Sequence, residues 1–365
     1  MPSVDNVYVY SVNLMGSPIL LKLFVHDETA VRQVFQRIKQ LEDMLTVNRA
    51  RSEVMSINHA AGKAYVSVSP IVFALIKRAK AVSLMENSAF NVAIGPVVKL
   101  WKIGFSGSTV PDRASIQRAL ALTHPERLIL REQDCAVLLE SAGMEIDLGA
   151  IAKGYIADIV RDVLHQHAIQ DALINLGGNV LAIGSALTDE QGLWSVGLQK
   201  PFADRDSLLG IIKVKNKSVV TSGVYERFFT VDDHIYHHIL DPRTGYPLDN
   251  ELHSVTVISN DSLDGDIYTT LLYGMGVSAG IEFLHRQPDI EAIFVTKNRE
   301  IIFSSQRNYT FELLDTDYSV AVSIEKKSNN LFTKGIFSPE RRDKRIVLPD
   351  LTEQHHLGVI AEKGK

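Results

Sequence analysis

The sequence predicts an α+β fold: a largely antiparallel sheet with flanking helices. Three observations lead there. Strand-like runs come in groups after residue 172, without strict alternation with helices. Helical periodicity is confined to a few long segments. With 45% hydrophobic and 22% charged residues over 365 positions, the chain can bury a sizeable core.

In chain order, Val7–Val12 and Ile19–Val25 are expected as strands around a Met15-Gly16-Ser17-Pro18 turn. From Glu28 to Leu45 the apolar residues Val31, Val34, Phe35, Ile38, Leu41 and Leu45 fall at helical spacing. A second helix is expected over Ile71–Met85, a loop over Gly104–Asp112, and a short hairpin from Leu128–Leu130 and Ala136–Leu139. A helix over Ala150–His167 is entered from Asp147-Leu148-Gly149. Strands follow at Ala172–Asn175, Val180–Ile183, Trp194–Leu198, Leu209–Val214, Ser218–Thr221, Phe228–Val231, Ile235–Leu240 and Ser254–Ile258. Leu263–Tyr273 and Ala279–Arg286 are expected as two helices, before strands at Ala292–Val295 and Ile301–Phe303. After Leu314 come one strand-like run, Tyr318–Ile324, and a polar, locally basic stretch from Glu325 to Arg345, read as an appended solvated segment. The domain expectation is residues 1–314, with a C-terminal extension over 315–365.

Composition narrows the function. A net charge of −5 lacks the basic footprint of a general nucleic-acid binder. One cysteine, Cys135, excludes an intrachain disulfide framework and any multi-cysteine metal site. No continuous apolar run approaches the roughly 18 residues that span a bilayer, so no integral membrane segment is expected. Residues 1–10 have neither a basic n-region nor an apolar h-region, which makes the expected location cytoplasmic. Gly274-Met275-Gly276-Val277-Ser278-Ala279 fits a relaxed dinucleotide pattern, but a helix precedes it instead of a strand, so a helix–helix turn is expected.

Four clusters carry chemistry. Around Asp147, Gly149, Ala150 and Lys153, a helix start offers unpaired N–H groups and a cation to a phosphate; alternatively Asp147 only caps the helix and Lys153 is solvated. Asn175-Leu176-Gly177-Gly178-Asn179 is either a close backbone approach to a ligand or a plain hairpin turn. His238 precedes a rigid Asp-Pro-Arg-Thr-Gly turn and suits a general base, since imidazole titrates near neutrality; a strand-end histidine bonded to its neighbours is the other reading. Asp266 and Thr270, four apart on one helix face, form a hard oxygen pair suited to Mg²⁺, or else merely complement the helix dipole.

In this order the clusters resemble the FAD:protein FMN transferase family, often labelled ApbE. Asp147–Tyr155, Asn175–Gly178, Thr221-Ser222-Gly223, His238–Pro247 and Asp266 with Thr270 carry the resemblance, with weaker matches at Met15–Ser17, Ser52 with Asn58, and Ala89–Pro96. It implies an ApbE-like, T-fold-related two-lobed fold with FAD held between the lobes. It implies an Mg²⁺-dependent transfer of FMN from FAD to a threonine of an acceptor flavoprotein, with release of AMP. By the resemblance, the Ala150 carbonyl, Asp266 and Thr270 hold the metal. Asp147 and Lys153 contact FAD, Met15, Ala89, Phe90, Asn91, Ile239 and Leu240 line its pocket, and His238 lies near the reacting phosphate. Two positions depart from the family pattern: Asn48 stands where an aromatic is frequent, and Asn91 where a carboxylate is frequent. The same residues would also serve FAD hydrolysis to FMN and AMP, or flavin binding without catalysis.

Overall fold

The computed structural model describes residues 7–321, which fall within one compact unit. The appended stretch from Glu325 to Arg345 lies outside the described residues. The elements run β1 (Tyr8–Leu14), β2 (Ser17–Leu23), α1 (Glu28–Leu45), α2 (Glu53–His59), β3 (Val66–Ser67), α3 (Pro70–Ser83), α4 (Gly95–Trp101) and α5 (Arg113–Leu120). They continue with β4 (Leu128–Arg131), β5 (Ala136–Leu139), α6 (Ala152–Gln166), β6 (Ala172–Leu176), β7 (Asn179–Ile183), β8 (Trp194–Gln199), β9 (Leu208–Val214) and β10 (Lys217–Gly223). Last come β11 (Phe228–Val231), β12 (His234–His237), β13 (Leu252–Ser259), α7 (Ser262–Leu284), β14 (Glu291–Thr296), β15 (Glu300–Phe303), β16 (Tyr309–Leu313) and β17 (Ser319–Ala321).

Nine strands form the main sheet, in the order β1-β2-β6-β7-β10-β13-β14-β15-β17. All neighbours are antiparallel except β15 and β17. Burial follows position. The edge strand β1 alternates between half-buried and exposed, whereas β14 is buried at every residue. Successive residues of β10 serve opposite layers. Val220 meets α7 beside Gly265, while Val219 joins a core shared with Trp194, Val196 and Ile212 of the small sheet β16-β9-β8. Helices thus cover one face and a second sheet covers the other. The α+β expectation holds. Between β2 and β6 the chain inserts helices α2 to α5 and the small sheet β3-β5-β4.

Several elements differ from the sequence reading. The first turn is two residues, Met15 and Gly16, both at positive φ, so Ser17 and Pro18 belong to β2. The short helices α2, α4 and α5 and the strands β3 and β16 were absent from it. Each is eight residues or fewer, too short for periodicity to declare. The expected pair of helices after Leu263 is one span, α7, kinked at Gly276 (φ 73°, ψ −178°). Val277 N–H donates to Glu251 Oε1 at 2.8 Å, which satisfies an amide freed by the kink. The two halves together make α7 the one described helix long and apolar enough to cross a membrane, with a mean hydropathy of 1.2. Here it packs on β10, β13 and α6, which explains its nearly all-round apolar character.

Gly276→Ala is expected to lose about 1–2 kcal/mol of stability in urea unfolding, because a Cβ at this φ is strained and faces Glu251. An unchanged midpoint would show that the kink tolerates a side chain.

Candidate active site

The site forms where the first turns of α6 and α7 meet. Helix α6 begins at Ala152, two residues later than expected, and Ala150 sits exposed in the preceding turn. Asp147 does not cap the helix: its Oδ1 accepts from Gly149 N–H at 2.7 Å, closing the turn before it. The cap comes from elsewhere. Asp266 Oδ2 accepts from Gly154 N–H at 2.6 Å, so an α7 carboxylate occupies an α6 donor that the sequence reading had left open for phosphate. In return, Asp158 of α6 accepts from Ser262 and Leu263 N–H of α7, at 2.8 and 2.9 Å. A Cβ on Gly154 would collide with the Ser262 carbonyl, which accounts for glycine in the Lys-Gly-Tyr run.

Burial shapes the charges here. Asp266 is 7% exposed, and loss of hydration pushes its carboxyl up to about 7, against the pull of Gly154 N–H, Asn179 and the Lys153 cation. Burial likewise holds the Lys153 ammonium below its usual range, while Asp266 pulls it back up. Lys153 Nζ donates to the Gly177 carbonyl at 3.2 Å. Thr270 Oγ1 lies 3.5 Å from the Asp266 backbone carbonyl oxygen, one helical turn back along α7. Gly177 and Gly178, both at positive φ, make a two-residue turn between β6 and β7. The segment is a hairpin turn, and its Gly177 carbonyl also holds Lys153.

His238 is positioned by a second core. Trp101 is buried, stacks on Tyr236 at 5.6 Å and donates from Nε1 to the Gly245 carbonyl at 2.7 Å. Asp241 braces the same turn by accepting from Arg243 N–H and Nε, each at 2.9 Å. His238 Nδ1 contacts the Arg227 carbonyl at 3.2 Å; a carbonyl only accepts, so Nδ1 carries the proton and Nε2 keeps its lone pair. Burial lowers the ring's pKa to about 4, with smaller pushes from Arg227 and Lys153. His237 points elsewhere. It is buried, donates from Nε2 to Leu248 O at 2.9 Å and accepts from Ile239 N–H at 3.3 Å.

Other expected residues behave differently. Asn91 donates from Nδ2 to Thr123 O and accepts from Ala93 N–H, both at 2.8 Å. Both ends of its amide are used internally, and a carboxylate could not make the first bond. Ala89 and Phe90 are buried, as are Ile239 and Leu240. Phe90 and Asn91 line a cleft of about 480 Å³ with Thr123, Pro242 and Arg243. A second cleft, of about 200 Å³, is lined by Asn175, Gly178 and Thr221 among others. Neither of these two clefts is lined by Asp266, Thr270, Lys153 or His238. Asn48 is exposed, with its N–H bonded to Thr46 Oγ1 at 3.1 Å, and Met15 occupies the β1–β2 turn. The sequence gives Asn179 no role beyond membership of its turn cluster and none to Ser262 or Asp158, yet each touches an α6 or α7 group named above. Their only signals were an asparagine after paired glycines and polar residues in otherwise apolar helix starts.

A metal fits the donor set. Among the described residues no group of three His, Cys, Asp or Glu could hold an ion. Asp266, Thr270 and the exposed Ala150 carbonyl are instead hard oxygens, few in number. That suits Mg²⁺, which keeps waters and completes its shell with substrate phosphates. Each Asp266 oxygen takes one N–H donor and retains a further lone pair.

The ApbE family profile matches residues 15–294. The chain is 60% identical over 318 residues to the FAD:protein FMN transferase of Klebsiella pneumoniae (strain 342), covering 87% of this chain and 98% of that protein. It is 36% identical over 283 residues to the Treponema pallidum (strain Nichols) protein of the same name, covering 74% and 78%. The crystal structure of the ApbE protein from Thermotoga maritima superimposes with a TM-score of 0.71 at 28% identity, over 85% of this chain and 98% of that one.

One pH dependence follows from His237. Its folded pKa, about 4, lies below the ordinary value of 6.5, so the unfolded chain binds the extra proton first. Its contribution to stability is complete above about pH 6.5 and is lost as pH falls towards 4, by up to about 3 kcal/mol. Urea titrations across that window are expected to show a shallower slope for His237→Gln than for the parent chain. Identical slopes would remove His237 as the cause.

Proposed function

The chain belongs to the ApbE family, and on that footing we propose that it is an Mg²⁺-dependent FAD:protein FMN transferase. The observation that carries the reading is the Asp266 carboxylate, buried where α6 meets α7, with Thr270 one turn away and Lys153 beside it. The similarity to a transferase of that name over nearly all of the relative's length supports it.

In the proposed reaction the threonine Oγ of an acceptor flavoprotein attacks the FMN-side phosphorus of FAD. The bond from that phosphorus to the bridging oxygen breaks, and AMP leaves with the electron pair. His238 Nε2, unprotonated and aimed away from its Arg227 bond, accepts the threonine proton. Lys153, held by Gly177, offers its charge to the departing phosphate. Asp147 braces the turn bearing Ala150 and contacts FAD in this reading. Ala150 O, Asp266 and Thr270 would hold Mg²⁺, which when bound would supply charge neutralisation at the diphosphate. The Gly154 N–H, already bonded to Asp266, takes no part in phosphate binding.

Two measurements test this. Asp266→Ala is expected to abolish Mg²⁺-dependent release of AMP from FAD while preserving the circular dichroism spectrum; full activity would refute the assignment. Mass spectrometry of threonine-bearing acceptor proteins incubated with FAD, Mg²⁺ and this protein is expected to show a gain of FMN less water. AMP release with no gain on any acceptor would favour hydrolysis.

A further inference from the structure

The Asp266 carboxylate ends a buried polar relay. Its Oδ1 accepts from Asn179 Nδ2 at 3.0 Å. Asn179 Oδ1 accepts from Ser262 Oγ at 2.7 Å, and Ser262 Oγ accepts from Ser218 Oγ at 3.0 Å. All four residues are buried, and the two serines are wholly enclosed. The last member sets the direction of the relay. An ionised carboxylate only accepts, so the amide must turn its NH₂ to Asp266 and its oxygen to Ser262. A flipped amide would set oxygen against oxygen at one end and leave the Ser262 hydroxyl facing a donor at the other.

The relay crosses three elements: β10 supplies Ser218, α7 supplies Ser262 and Asp266, and β7 supplies Asn179. Asn179 is the first residue of β7, directly after the Gly177–Gly178 turn, paired with Leu176. The register of that hairpin decides that its amide faces inward. With Gly154 N–H on the other oxygen, Asp266 is gripped at two points by donors from different elements, which fixes the plane of its carboxylate.

We propose that Asn179 is the positioning residue for Asp266, holding its free lone pairs towards a divalent cation; this rests on the cation-binding reading of Asp266 given above. A residue that merely filled the core would be needed for its volume, whereas the relay needs its amide.

Mn²⁺, followed by the loss of its free-ion electron paramagnetic resonance signal, is the probe, with the full-length chain and ADP as the diphosphate. Asn179→Leu keeps the volume and removes the donor. It is expected to weaken Mn²⁺ binding about tenfold or more and to raise the Mg²⁺ needed for half-maximal FAD cleavage in step. Metal-free ADP binding and kcat at saturating Mg²⁺ are expected to change far less. Ser262→Ala unlocks the amide at little cost in volume, and a smaller loss in the same direction is expected, which keeps the test decisive if the leucine variant does not fold. Unchanged Mn²⁺ affinity in the folded variants, with affinity lost in Asp266→Ala, would overturn the positioning role. Unchanged affinity in Asp266→Ala would instead overturn the cation reading itself.

Discussion

Everything at the site depends on an exchange of carboxylates between two helices. Asp158 of α6 satisfies the first N–H groups of α7, and Asp266 of α7 satisfies Gly154 N–H of α6. Helix starts carry unpaired donors and partial positive charge, so each anion is stabilised by the other helix's end. The exchange brings the two first turns so close that only glycine fits at 154. It sets Lys153 of α6 near the Asp266 carboxylate, with Thr270 one turn further along α7.

That arrangement makes a strong cap and an unusual acid from the same residue. A carboxylate 7% exposed would ordinarily be neutralised or paired. Two N–H donors and a half-buried lysine keep Asp266 near the balance point, with its carboxyl at about 7. In the proposed reaction a divalent cation and a diphosphate, brought together, would complete the charge pattern that burial leaves unfinished. His238 approaches from a separately braced unit, anchored by Trp101 and the Asp241–Arg243 pair. The proposed base is therefore positioned independently of the helix pair.

Much of this was legible in the sequence. Helix α1 was placed to the residue, since its apolar face repeats at helical spacing for five turns. The oxygen pair of Asp266 and Thr270 was visible because four residues make one turn. The rest was not, because it depends on contacts across 80 residues or more: Asn179 to Asp266 and Asp158 to Ser262. Asn91 shows the same limit in reverse. Its neutral amide departs from the family's frequent carboxylate, yet its NH₂ group makes a bond to Thr123 that a carboxylate could not. Likewise the α6 start, open to phosphate by spacing alone, is closed at Gly154 by a residue 112 positions away.

Crystals grown with ADP and Mn²⁺, with anomalous data collected at the manganese edge, test the central claim most directly. The account predicts a peak joining the diphosphate to the Asp266 carboxylate and the Thr270 hydroxyl. A well-ordered diphosphate whose manganese lies elsewhere, with Asp266 bonded only to Gly154 and Asn179, would contradict it.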